Sequence, residues 1–139
     1  MSLSSVLTSD TAIPYTGTPV TFLTVPINAG KYYYRIYLLA TNNYSISTLG
    51  IQLALQSGNT FTNTSIGYYN DGVNNTNITG TATTFNVASL TTNKTSALPI
   101  FAEGVVTIGT NDTLLIKGFA NTNFTITWEL GSGVFLTSL

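Results

Sequence analysis

The chain is 139 residues long and carries four Lys or Arg, five Asp or Glu, no His and no Cys, for a formal net charge of −1. A domain of that length buries roughly 70% of the surface its unfolded chain exposes, so a hydrophobic core needs no disulfide or metal staple. The missing Cys excludes disulfides and the missing His removes the commonest transition-metal ligand, while Lys31, Arg35, Lys94 and Lys117 are too scattered to neutralise a phosphate backbone or an anionic membrane, so no nucleic acid and no membrane insertion are expected.

From Met1 to Pro14 there is neither a basic region nor an apolar run, so nothing in that stretch resembles a secretory signal, and the expectation is either a protein made and assembled inside a cell or a leader missing from this sequence. The first 18 residues read as a candidate extended arm of a single domain spanning 1–139. Val20 to Ile27 is the first confident strand; Pro26 marks it as an edge strand or as a strand nearing its end. The segment from Lys31 to Thr41 places Tyr32, Tyr34, Ile36 and Leu38 on one face and Tyr33, Arg35, Tyr37 and Leu39 on the other. Two substantial faces predict a central strand, or one whose second face a neighbouring subunit covers.

Leu49 to Gln56 alternates Ile51, Leu53 and Leu55 with Gln52, Ala54 and Gln56, the pattern of one buried and one solvated face. Between Ser57 and Thr95 the chain is looser, with short strands expected at Ser65 to Tyr69 and Thr79 to Val87 and a turn at Asn70-Asp71-Gly72. Strands then recur at Leu98 to Ile108, Thr113 to Ala120, Phe124 to Glu129 and Val134 to Leu139, split by Asn- and Gly-rich turns. Short strands at this spacing predict an all-β fold, an antiparallel β-sandwich or barrel.

No catalytic constellation emerges. Asp71 and Asp112 stand beside turn residues and read as turn formers, and no histidine is available to activate a serine. Glu103 interrupts an apolar strand on the face of Phe101 and Val105, where Arg35 or Lys117 is its expected partner in a buried or interfacial ion pair; Glu129 has the parity of Thr125 and Thr127 and points to solvent. The carboxylates are too few and too dispersed for a metal site, and no cofactor is called for. Tyr68 and Tyr69, beside a turn, are the candidate ligand contacts, because an exposed phenol ring stacks on a sugar. The N-x-S/T pattern occurs at Asn43, Asn63, Asn74, Asn77, Asn93, Asn111 and Asn123, the candidate glycosylation sites.

The stretches Phe101 to Thr110, Asp112 to Lys117 and Gly131 to Leu136 carry an EG…G…GTL-like strand pair and a GS turn before the last strand. With the strands between Thr21 and Leu39 and the run from Ser47 to Leu55, this resembles the jelly-roll domains at the tips of phage fibres and on viral heads. Asn111-Asp112 departs from the small residues of that pattern. The layout is also similar to C1q and tumour-necrosis-factor-like trimers. The resemblance implies a jelly-roll homo-oligomer, a trimer, on a virion surface or otherwise extracellular, in contact with other capsid or fibre proteins and with a host-surface glycan or receptor. The lack of a stalk or collagen-like segment ahead of the domain favours a decoration, turret or capsid-surface protein over a fibre tip. Two alternatives stand beside it: a receptor- or carbohydrate-binding adhesion module, and a filament or pilus subunit whose segment Ser2 to Thr18 completes its neighbour.

Overall fold

The computed structural model describes residues 2–40, 49–70, 73–74, 79–90, 99–120 and 123–139, with 67–70, 73–74, 89–90 and 99 described as backbone alone. All regular structure among them is β: β1 (Ser2–Val6), β2 (Thr11–Tyr15), β3 (Val20–Ile27), β4 (Gly30–Leu39), β5 (Leu49–Leu55), β6 (Phe61–Asn70), β7 (Val73–Asn74), β8 (Thr79–Ala82), β9 (Thr84–Leu90), β10 (Pro99–Ile108), β11 (Asp112–Ala120), β12 (Phe124–Trp128) and β13 (Gly133–Ser138). One sheet has the order β1-β13-β4-β10-β6-β7, with β8 also on β6; a second has the order β3-β11-β5-β9; β12 and β2 form a small third. Every pairing is antiparallel.

The core lies between the two large sheets because their strands alternate. Tyr32, Tyr34, Ile36 and Leu38 of β4, Ile100, Ala102, Val106 and Ile108 of β10, and Val134 and Leu136 of β13 are buried from one side. Leu23, Val25 and Ile27 of β3, Leu114 and Ile116 of β11, Leu53 and Leu55 of β5, and Phe85 and Val87 of β9 are buried with them in a single apolar cluster. At roughly 1.5–3 kcal/mol for each fully buried large aliphatic or aromatic side chain, this cluster is the main source of stability. The fold is an all-β, antiparallel, jelly-roll sandwich.

One end holds an aromatic nest. Trp128 and Tyr15 are fully buried, and the indole Nε1 donates to Tyr15 Oη at 2.6 Å. Phe22 stacks on Trp128 with centroids 6.1 Å apart and meets Tyr15 edge-on. Phe22 is the extra residue where the β3–β11 register shifts between Ile116 and Lys117. Gly118 of β11 faces this nest: a Cβ there would collide with the Tyr15 ring, with Tyr15 Cζ at 2.9 Å.

Several expectations need revision. Ser2–Val6 and Thr11–Tyr15 are strands, β1 on β13 and β2 on β12 of the same chain. β6 begins at Phe61 rather than Ser65, because Phe61, Asn63 and Ser65 turn inward. The strand expected from Thr79 to Val87 is two, β8 on β6 and β9 on β5, with a bend at Thr83 where the chain crosses between sheets. The second face of β5 is only partly solvated: Gln56 is exposed and Gln52 half-buried, but Ala54 is buried, and the Phe119 ring lies on Gly50 so closely that a Cβ there would clash with it.

Candidate functional site

Tyr68 and Tyr69 stand opposite Ala102 and Phe101 in the β6–β10 register. Their rings lie outside the described side chains. Of the candidate acceptor asparagines, Asn43, Asn77 and Asn93 lie outside the described residues, and Asn74 is described only as backbone of β7. Asn123 is exposed. Asn111 is exposed too, its Oδ1 accepting the Ala29 N–H at 2.9 Å. Asn63 corrects the list: it is wholly buried, its Oδ1 accepts the Tyr34 hydroxyl at 3.0 Å, and a sugar on its amide has no room in this core.

Two outer faces differ sharply in character. On the four-stranded sheet the outer face carries exposed Thr24 and Thr84 in the row Thr24–Leu115–Ala54–Thr84. Beside it, Gln52 donates to Asn86 at 2.8 Å, and Lys117 is opposite Gln52. On the seven-stranded sheet, cross-strand partners share a face, and the registers build three rows across β1, β13, β4 and β10. The first runs Val6–Gly133–Tyr37–Phe101, the second Ser4–Phe135–Arg35–Glu103, the third Ser2–Thr137–Tyr33–Val105. Tyr37 is 41% exposed and Val6 39%, while Tyr33, Phe101, Val105 and Phe135 are half-buried. An aromatic band thus crosses the middle of a sheet face that no element of the described chain covers. Arg35, Tyr37, Phe101 and Phe135 line a shallow open cavity of about 200 Å³ in it.

Glu103 and Arg35 are directly opposite in register, yet the ion pair expected from the sequence does not join them among the described residues. Glu103 Oε2 instead accepts the Tyr33 hydroxyl. Burial and this carboxylate both push the Tyr33 phenol above its ordinary range. Lys117 lies on the other sheet, so it is no partner for Glu103.

The remaining carboxylates hold loops. Asp112 accepts the hydroxyl of Ser57 and its own strand's Thr113 N–H, and those bonds lower its pKa. Asp10 Oδ1 accepts the Leu130 N–H at 2.9 Å. Glu129 is half-buried just past β12, its N–H bonded to the Leu39 carbonyl. Among the described residues no three His, Cys, Asp or Glu converge as a metal would require, and no helix is long and apolar enough to cross a membrane. The buried Tyr34 and Tyr15 phenols are held well above the usual range by desolvation. Among the described residues, the outer face of the seven-stranded sheet brings together apolar area, a guanidinium and a carboxylate.

Comparison with known structures bears on the fold. Eiger, a TNF from S. frugiperda, superposes with a TM-score of 0.58 at 10% identity, over 100% of this chain and 92% of that one. Murine APRIL gives 0.52 at 11% identity over 99% of this chain and 98% of its own. At such identities the likeness shows the shared jelly-roll sandwich alone. A chain of the T13 IBDV viral particle, at 12% identity, covers 98% of this chain and 39% of its own with a TM-score of 0.28, too loose to bear on the fold. No protein-family model matches the chain, and no curated protein matches it in sequence.

Proposed function

We propose that this protein is a non-enzymatic structural module of a virion surface, assembling as a homo-oligomer, a trimer, with the outer face of its seven-stranded sheet turned toward its own copies. The observation that carries this reading is the apolar, largely aromatic band of Val6, Tyr33, Tyr37, Phe101 and Phe135 on an otherwise neutral chain. Removing such side chains from water is the dominant gain in stable association, and aromatics concentrate in the middle of protein interfaces. A net charge of −1 on 139 residues adds little electrostatic repulsion against packing many copies together. The viral placement draws its support from the fibre- and head-like motifs between Phe101 and Leu136, and the trimer from the layout shared with TNF-like proteins.

Native mass spectrometry across micromolar concentrations tests the assembly, with a discrete trimer expected. A monomer throughout overturns it. Co-sedimentation with particles from an infected host tests the location, and a protein that stays in the supernatant refutes a virion role. A second reading, a carbohydrate- or receptor-binding module, is favoured by the cavity of Arg35, Tyr37, Phe101 and Phe135. It predicts glycan-array binding by a monomer that Tyr37→Ala abolishes.

A further inference from the structure

The aromatic band is interrupted at its centre by two charges, in a chain that has only four cations and five anions. Arg35 and Glu103 sit side by side on neighbouring strands, opposite in register. Placed so, they are geometrically able to pair within the subunit, and they do not. Tyr33, on the diagonal from Glu103, takes the carboxylate through Oε2. That leaves Oε1 without a hydrogen bond from a described residue and holds the carboxyl to one side. Arg35 is exposed and lines the open cavity with Tyr37, Phe101 and Phe135. Its backbone is held in the ladders with β10 and β13, while its guanidinium makes no hydrogen bond or ion pair with a described residue.

Resting on the reading that this face joins copies of the chain, we infer that Arg35 of one subunit pairs with Glu103 of the next, and that this pair sets the register of the assembly. Burying the band strips water from both charges. An unpaired guanidinium or carboxylate in a dry interface is costly, so the arrangement that forms is the one that brings opposite signs together. The face supplies its own complement, because each copy offers one cation and one anion at its centre. In any closed ring each subunit then gives its Arg35 to one neighbour and receives another's at Glu103, and no charge is left over. A partner of different sequence would have to present a matching acid and base at the same spacing. A second copy has them already. Tyr33 pre-positions the carboxylate, since its hydroxyl holds Glu103 before the neighbour arrives.

The test is charge reversal. R35E and E103R each place like charges at every contact, and each is expected to raise the dissociation constant of the oligomer at least about a hundredfold, in line with the cost of unpairing a buried interfacial charge. The double variant R35E/E103R restores opposite signs with the roles exchanged and is expected within about tenfold of the native constant. Thermal unfolding of the isolated monomers checks that folding is retained. Should a reversal fail to fold, Arg35→Gln and Glu103→Gln keep size and lose only charge; each alone should weaken assembly more than the two together. Native assembly with single variants unaffected, or with no rescue in the double, overturns the pair and leaves the oligomer standing. A native chain that is monomeric at every concentration overturns the oligomer and the pair with it.

Discussion

Gly118→Ala gives the sharpest test of how the core is built. Gly118 lies on β11, paired with Val20 on one side and Ile51 on the other. In the middle of a strand an Ala in place of Gly stabilises by about 0.5–1 kcal/mol, because the unfolded chain loses freedom. The added methyl, however, enters the Tyr15 ring. Tyr15 is fully buried, bonded to Trp128 and wedged against Phe22, so it has no path outward. Overpacking of that kind costs about 1–3 kcal/mol. Disturbing the indole–phenol hydrogen bond adds about 1 kcal/mol. The net expectation is a loss of about 1–3 kcal/mol, read as a lower urea midpoint with unchanged slope. Gly50→Ala is the internal control. Its methyl meets the Phe119 ring just as closely, but that ring is half-exposed on the outer face and is free to swing, so stability should change by less than about 1 kcal/mol. A Gly118→Ala protein as stable as the native one, or a Gly50→Ala protein more damaged than it, refutes the reasoning.

Tyr34→Phe removes the donor that Asn63 accepts inside the core and should cost about 1–2 kcal/mol by urea unfolding. Above pH 10 the protein should destabilise steeply: Tyr15, Tyr33 and Tyr34 ionise later in the fold than unfolded, so their contribution is intact below the unfolded pKa of about 10 and is lost as pH rises toward the folded values. Phenolate absorbance should therefore rise in step with loss of near-ultraviolet dichroism. Asp112 works in the opposite sense, its depressed pKa stabilising above the ordinary value of 3.8 and losing that as pH falls below it; Asp112→Asn should shallow the acid limb of the stability curve. If the protein is passed through a eukaryotic secretory pathway, peptide mapping should find sugar at Asn111 or Asn123 and none at Asn63.

Outside the looser stretch that holds β6 to β9, the strands from Val20 onward were legible because their large apolar residues alternate, and β3 spans the very residues the alternation marks. β1 and β2 escaped notice because Ser-Leu-Ser-Ser-Val and Thr-Ala-Ile-Pro-Tyr carry too few large side chains to declare a face. Their pairing is decided by β13 and β12, far along the chain. The cover over the second face of β5 was hidden for a similar reason, since it comes from Phe119 meeting the absent side chain of Gly50. At the candidate interface, the double-sided character of β4 was plain from Tyr33, Arg35 and Tyr37. That Glu103 would bind the Tyr33 hydroxyl rather than Arg35 was not, because a two-residue period fixes the face a side chain shares but not which of two neighbours it takes.

The seven-stranded sheet also sets an order of events in time. β4 is flanked by β10 and β13, so Tyr34 waits for Gly104 on one side and for Leu136 on the other. Pairings this distant along the chain make folding slow, and a growing chain cannot complete the sheet until its last strand leaves the ribosome. Until then both faces of β4 are open, and the inner one is as adhesive as the outer. Each chain therefore has to close intramolecularly before it meets another, and synthesis at high local density favours aggregates over folded protein. Expression at low rate or temperature should raise the yield of the folded chain.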